Sequence, residues 1–387
     1  MNKDFHYFGT YCASRLAGFS YEEGLRIASA ALFVDLCTAS FLDSVGGPYS
    51  AATTQQTFEM ANARTDYVGL QDITRIWSSF HFLPRDLYAK RKGASKRYLN
   101  KFRLICGPNG DLVKETINLA KNGSLESIGI AMHVIADTWA HQNFAGTPSL
   151  VINNTTDDFV EILPDGTERK ISFVHKAGAG EDIENARFIN TMYSTSEKSV
   201  MNLGHGRAGH LPDYSYIKYR YLPAWGNYRE IIKDNQSDYY HAFAQLVYAM
   251  RYLRGYIDEF DTDTYAFETV APYEKDLKDI FAVRRTDDTE DWIKLANKIT
   301  GYDIPDIHIR GFKEEYTNAA EADKEHTFLG AFFAGAQAHK SMVTNHIYKS
   351  NNPLAGVSIE VKDDLIDKMG IRDIYIKLGL NRENKDE

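Results

Sequence analysis

The stretch GIAMHVIADTWAHQNFAG, residues 129–146, sets three metal-competent side chains, His133, Asp137 and His141, four residues apart in an apolar segment. At 3.6 residues per turn, each step of four moves about 40° around a helix and about 6 Å along it, so the three form one slanted row. Ile130, Met132, Val134, Ile135, Ala136, Trp139 and Ala140 cover nearly every other face. A helix apolar all round is a buried helix, and it needs other helices to bury it. Buried imidazole and carboxylate cost several kcal/mol each unless partnered. Two readings of the row stay open: a metal ion is the partner, or a network of hydrogen bonds between helices is.

Outward from this segment the patterning stays helical. Ser124 caps the central helix, and Ser20, followed by Glu22 and Glu23, caps another. Helices are expected over 2–17, 20–42, 85–103, 111–122, 183–202, 236–260, 272–283, 288–299, 312–349 and 362–379, with 52–66 weakly helical or irregular. DFVEILPDGTERKISFVH, 158–175, alternates apolar and polar residues around Pro-Asp-Gly and reads as a β-hairpin, the one clear sheet signal. LGHGRAGHLPDYSY, 203–216, is too rich in glycine to hold a helix. The expectation is an all-α, multi-helix fold with one hairpin insertion near 158–175. It is a single mainly helical domain over 1–387, of which 216–387 is helical with no role assigned.

The 387 residues carry a net charge of −9, which argues against a polyanion-binding footprint and for no stable nucleic-acid binding. Lys90, Arg91, Lys92, Lys96, Arg97, Lys101 and Arg103 form one basic run, read as a solvated helix face or loop. Aromatic residues make up 13%, which suits a large core or a groove for an amphipathic ligand. Cys12, Cys37 and Cys106 are too few and too irregularly spaced for a disulfide framework or a thiolate zinc site. The opening residues lack the apolar core of a signal peptide, and no run approaches the roughly 18 apolar residues that span a bilayer. The expected location is cytoplasmic, or outside the cell by a route without a cleaved signal.

Asp35 shares the awkward placement of Asp137, a carboxylate inside an apolar helix. Divalent metals relieve both. Imidazole with carboxylate and no thiolate suits zinc, manganese or iron. Two such ions about 3.5–4 Å apart clamp the attacking and leaving oxygens of a phosphoester. His6, His81 between two phenylalanines, and His205 and His210 around GRAG are the further candidate ligands. His175, His241, His308, His326, His339 and His346 read as structural or exposed.

The order Asp35, the FHF at His81, AMHVIADTWAHQNFAG and a later glycine-rich histidine pair resembles the zinc-dependent phospholipase C superfamily, relatives of which are the single-strand-specific zinc nucleases. DFHYFGTYCASRLAGFSYEEGLRIASAALFVD, 4–35, is similar to a family of uncharacterised bacterial proteins related to that superfamily. The resemblance covers residues 4–215. It implies a nearly all-helical fold with two or three zinc ions. His81, His133, Asp35 and Asp137 would build one site. His141 and His210, bridged by Asp137, would build a second, and His6 and His205 would contribute to a third. Asp35 and Asp137 would be the catalytic carboxylates, Asp35 orienting or deprotonating the attacking water.

The chain departs from the pattern. The phospholipases ligate zinc through the amine of an N-terminal tryptophan, for which His6, with Asp4, is the expected substitute. The gap from Asp137 to His141 is short, and His205-x4-His210 replaces a later H-x3-E. The expected activity is hydrolysis of a phospholipid or small phosphodiester. The alternatives are a zinc-dependent single-strand nuclease, for which the basic run is the only track, and a non-enzymatic helical protein with a structural metal site.

Overall fold

The computed structural model describes residues 1–156, 158–174, 180–190 and 202–356. The chain enters through a π-helical turn, Phe5–Gly9, that runs straight into α1, Thr10–Leu16. Ser20 and Glu23 close a capping box that starts α2, Tyr21–Phe33. The helix expected to reach residue 42 stops here, because Thr38 caps a new one, α3, Ala39–Val45. Asp35 therefore lies in a turn between helices instead of inside one. After α4, Thr57–Ala63, Asp66 caps α5, Tyr67–Phe80, a helix absent from the expected set although Ile73, Ile76 and Phe80 are spaced for one buried face.

The helix expected over 85–103 shrinks to α6, Lys96–Phe102, since Pro84 and Gly93 punctuate the stretch before it. α7, Asp111–Lys121, leads through the Ser124 cap into the central helix α8, Leu125–Ala140. The short α9, Leu150–Asn153, follows.

The hairpin forms as expected: β1, Val160–Ile162, pairs antiparallel with β2, Glu168–Lys170, through a turn with Gly166 at φ 83°. It is not the whole of the sheet. β3, Ser172–Val174, pairs parallel with β4, Arg187–Ile189. β5, Lys218–Tyr221, and β6, Ile231–Asp234, extend the hairpin into a sheet of order β2-β1-β5-β6. Residues 216–234 are thus strand and loop, which corrects the helical reading of the C-terminal half. Strands of four residues are too short for periodicity to announce. Residues 183–189 are likewise a 3₁₀ turn and β4, not a helix, and 191–201, His175 and 362–379 lie outside the described residues.

The last third is helical: α10, Asn235–Leu253, α11, Phe267–Val270, α12, Glu274–Ala282, α13, Thr289–Thr300, α14, Ile309–Asn318, and α15, Phe328–Lys349. α10 ends before Gly255, at φ 84°, and the helix expected over 312–349 is broken by a 3₁₀ run before Thr327 caps α15.

The core is built around α8, which packs against α2, α5, α7, α10, α15 and the entry turn. Gly129 explains the closeness of α2: a Cβ there would lie 2.3 Å from the Ile27 carbonyl oxygen. A second core packs the sheet against the segment that follows α8, with Phe144 stacked on Tyr221 and Tyr221 on Phe159. Among the described residues no helix is long and apolar enough to cross a membrane.

Candidate metal centre

The donors come from both cores. α8 supplies His133 and Asp137, and His141 caps its C-terminus. His81 caps α5, Asp35 sits in the turn after α2, and His6 in the π-helical entry turn. His205, His210 and Asp213 belong to two 3₁₀ turns before β5.

Asp137 is the hub. Its Oδ1 lies 2.5 Å from the backbone amine of Met1 and 3.2 Å from His6 Nε2. Its Oδ2 lies 3.1 Å from His133 Nε2, 3.2 Å from His81 Nδ1 and 3.4 Å from His141 Nδ1. His6 stacks on His133 with ring centroids 3.8 Å apart. Asp35 Oδ1 stands further off, 3.8 Å from His81 Nδ1 and 3.9 Å from His133 Nε2. On the loop side, Asp213 Oδ1 is 3.0 Å from His141 Nε2, and its Oδ2 is 3.6 Å from His205 Nε2.

Four of the rings are held in the same way. His133 Nδ1 is 2.8 Å from the Ala31 carbonyl, His141 Nδ1 2.7 Å from that of His81, and His205 Nδ1 2.7 Å from that of Gly209. His81 Nε2 is 3.1 Å from the Thr53 carbonyl. A carbonyl only accepts, so each of these nitrogens carries the proton and donates. The other nitrogen of a neutral ring is then a bare lone pair. All four lone pairs turn towards carboxylates, and those of His81 and His133 face each other at 3.3 Å. Lone pairs opposed in this way repel unless a proton on one nitrogen or a metal ion lies between them. An imidazole fixed through one nitrogen by a main-chain carbonyl, with the other free, is also the usual outer shell of a metal ligand. His6 is buried, and both its nitrogens lack an aligned hydrogen-bond partner; its approach to Asp137 is close but off-axis. The residues present therefore fit a metal ion.

Three groups of donors could hold one: His6, His133 and Asp137; Asp35, His81 and His133; His141, His205 and Asp213. The expected grouping changes in three respects. His205 joins His141, not His6. His210 stays at the rim, its ring 64% exposed and 3.4 Å from Asp213 Oδ2. Asp4 turns away to accept from the Asp288 amide and the Thr289 hydroxyl. Sequence reasoning left two neighbours out of the donor set, Asp213 and the amine of Met1. Asp213 had a signal, since it follows His210 by three residues in the irregular loop; the amine had one in the resemblance, whose N-terminal amine ligand was assigned to His6 instead.

Burial works to raise the Asp137 carboxyl, but His141, the Met1 amine, His133 and His6 together hold it well below the usual range. Asp213 is held down in the same way, burial being outweighed by His205, the Met1 amine and its bonds to His141 and His210. Burial drives His6 down to about 4, helped by His133 and the amine beside it. His205 also falls to about 4 by burial, against the pull of Asp213. In His133 burial is outweighed by Asp137 and Asp35, so its value rises. His210 rises through its bond to Asp213.

A cavity of about 280 Å3 opens on Asp35, His81, Asp137, His141, His205 and Asp213, with Trp77, Phe82, Ile189 and Leu203 as apolar wall. Two buried asparagines hang its loops. Asn235 donates to the carbonyls of Leu211 and Tyr214 at 2.8 and 2.7 Å, on either side of Asp213. Asn153 donates to those of Ala145, Thr147 and Asn202 and accepts from the Ala145 amide.

The chain belongs to DUF6765, a family of unknown function, which matches residues 1–347. No curated protein and no solved structure matches it.

Proposed function

We propose that this member of the family is a zinc-dependent phosphoester hydrolase acting on a phospholipid or small phosphodiester. The observation that carries the reading is the set of four carbonyl-anchored imidazoles whose free nitrogens converge on Asp137 and Asp213 beside an open cavity. Nitrogen and oxygen donors without thiolate suit zinc at a catalytic site. The three donor groups suit two or three ions, and His133, with one free nitrogen common to two of the groups, serves one ion. The resemblance of the helix motif to phospholipase C supports the same reading.

When bound, the ions make water a nucleophile near neutral pH and neutralise charge building on a phosphoester. The chain's own residues do the rest. Asp35, 37% exposed at the cavity, is placed to orient a water and accept its proton. Trp77 and Phe82 shield the reacting face from bulk water; Trp77 packs tilted against His81 and Phe82 stacks on His141, holding both rings. Asn235 fixes the loop that presents Asp213.

The test is zinc per chain by elemental mass spectrometry on the wild type and Asp137→Ala, followed by hydrolysis of phosphatidylcholine and of a chromogenic phosphodiester. Two or three zinc ions, mostly lost in the variant together with hydrolysis, are expected. A wild type purified without chelator that holds no metal overturns the proposal.

A further inference from the structure

Between Arg85 and Arg103 the chain carries eight Lys and Arg against one Asp, a local net of +7 in a protein of net −9. Elsewhere cations are commonly paired, as in Arg26–Glu126, Arg169–Glu161 and Arg220 with Glu168 and Glu230. Among the described residues no carboxylate pairs with any of these eight. Lys90, Lys92, Lys96 and Arg97 are exposed. Holding so many like charges together without counterions costs stability, which a solvated helix face has no need to bear.

Arg91 takes another role. It donates to the Tyr98 hydroxyl at 2.7 Å, to the Trp225 carbonyl at 2.6 Å and to the Asn227 side chain. This ties the 225–228 loop to the cationic ridge and leaves Tyr228 96% exposed at φ 61°. A bulky residue in the left-handed region is a strained one. α9 packs against α6 and brings Leu150 and Val151, 42% and 44% exposed, to the same ridge. Tyr88, 63% exposed, lies within it.

We propose that this face is a docking surface for an anionic phospholipid bilayer. Unpaired cations match anionic headgroups. Tyrosines suit the headgroup level, and two exposed aliphatic side chains suit the acyl boundary. A nucleic acid would use the same cations, but it offers nothing to Leu150 and Val151. The segment is rooted beside the candidate metal centre, since it leaves the fold four residues after His81 and returns where Cys106 pairs with Pro84. Docking and hydrolysis are separable, because the surface contains none of the candidate metal ligands.

Co-sedimentation of the whole protein with vesicles tests this. Phosphatidylcholine vesicles containing about 30% phosphatidylglycerol should bind it and pure phosphatidylcholine should not. Binding should weaken at least tenfold between about 50 and 500 mM salt. K92E/K96E/R97E should lose binding by about 100-fold, and Y228A or L150S/V151S by several-fold, all with unchanged zinc content and melting. Wild type that ignores the anionic vesicles, or a charge-reversed variant that binds like wild type, overturns the proposal. So does tighter binding to a single-stranded oligonucleotide than to the vesicles. Each outcome is read equally in chelated protein, so it stands apart from the fate of the hydrolase reading.

Discussion

The two halves of the candidate centre are built differently. On the helical side His133, Asp137 and His81 belong to long helices, or their ends, in the main core. His133 and His81 are fixed by carbonyls of neighbouring segments, Ala31 and Thr53. On the loop side His205 and Asp213 sit at short 3₁₀ turns, and the turn of Asp213 is held by the side chains of Asn235 and Tyr239, the latter bonding the Asp213 carbonyl at 2.7 Å. The helical half is thus rigid because its backbone is already paired. The loop half is held mainly by a few buried side chains, since the Leu211 and Tyr214 carbonyls otherwise receive only long backbone contacts of 3.4 Å.

The sharpest way to break the contrast is Asp137→Ala. It removes the carboxylate shared by His133, His81, His141 and His6 and strands several buried rings. A loss of about 3–5 kcal/mol is expected in denaturant unfolding, along with most of the bound metal. Next comes Asn235→Ala, which strips the short side-chain bonds from the Leu211 and Tyr214 carbonyls, leaves each with one long backbone contact of 3.4 Å and should cost about 1–3 kcal/mol. If the halves are independent, this variant loses the ion held through Asp213 and keeps those of the helical half. Loss of all metal would show one cooperative unit instead.

His339 gives a reference on the helical side away from the cluster. Burial holds it down to about 3, with its Nε2 3.1 Å from the Thr116 hydroxyl. The unfolded chain protonates it near 6.5, so between these values the unfolded state binds the extra proton. Stability is therefore full above about pH 6.5 and falls as pH drops towards 3, by about 2–3 kcal/mol at pH 4.5 from this group. His339→Leu should remove that share of the acid sensitivity in urea midpoints measured at pH 7 and 4.5. The smallest effect belongs to His210→Ala. An exposed rim histidine should change stability by less than about 0.5 kcal/mol and leave metal content intact. A lost ion would move His210 into the donor set.

The row His133, Asp137, His141 was legible because a helix repeats locally: spacing by four puts side chains on one line wherever the helix sits. The PDG hairpin was legible because its turn chemistry is contained in three residues. α5 was missed although Ile73, Ile76, Trp77 and Phe80 lie at helical spacing behind the Asp66 cap, and it is what carries His81 to Asp137. Asp4 looked like a partner of His6 by nearness in sequence, but the chain turns it towards α13. β5 and β6 were hidden because four-residue strands declare themselves only when paired.

The sequence alone determined the residue types of the centre, the buried helix that carries three of them and the mainly helical class, all through local periodicity and donor chemistry. Only the tertiary structure decided which nitrogen of each ring is free, that Asp213 and not His210 completes the loop group, and that the cationic ridge stands without counterions. Most of those facts depend on carbonyls and carboxylates tens of residues away or more, and a hydrogen bond across that separation leaves no period in the chain for a reader to find.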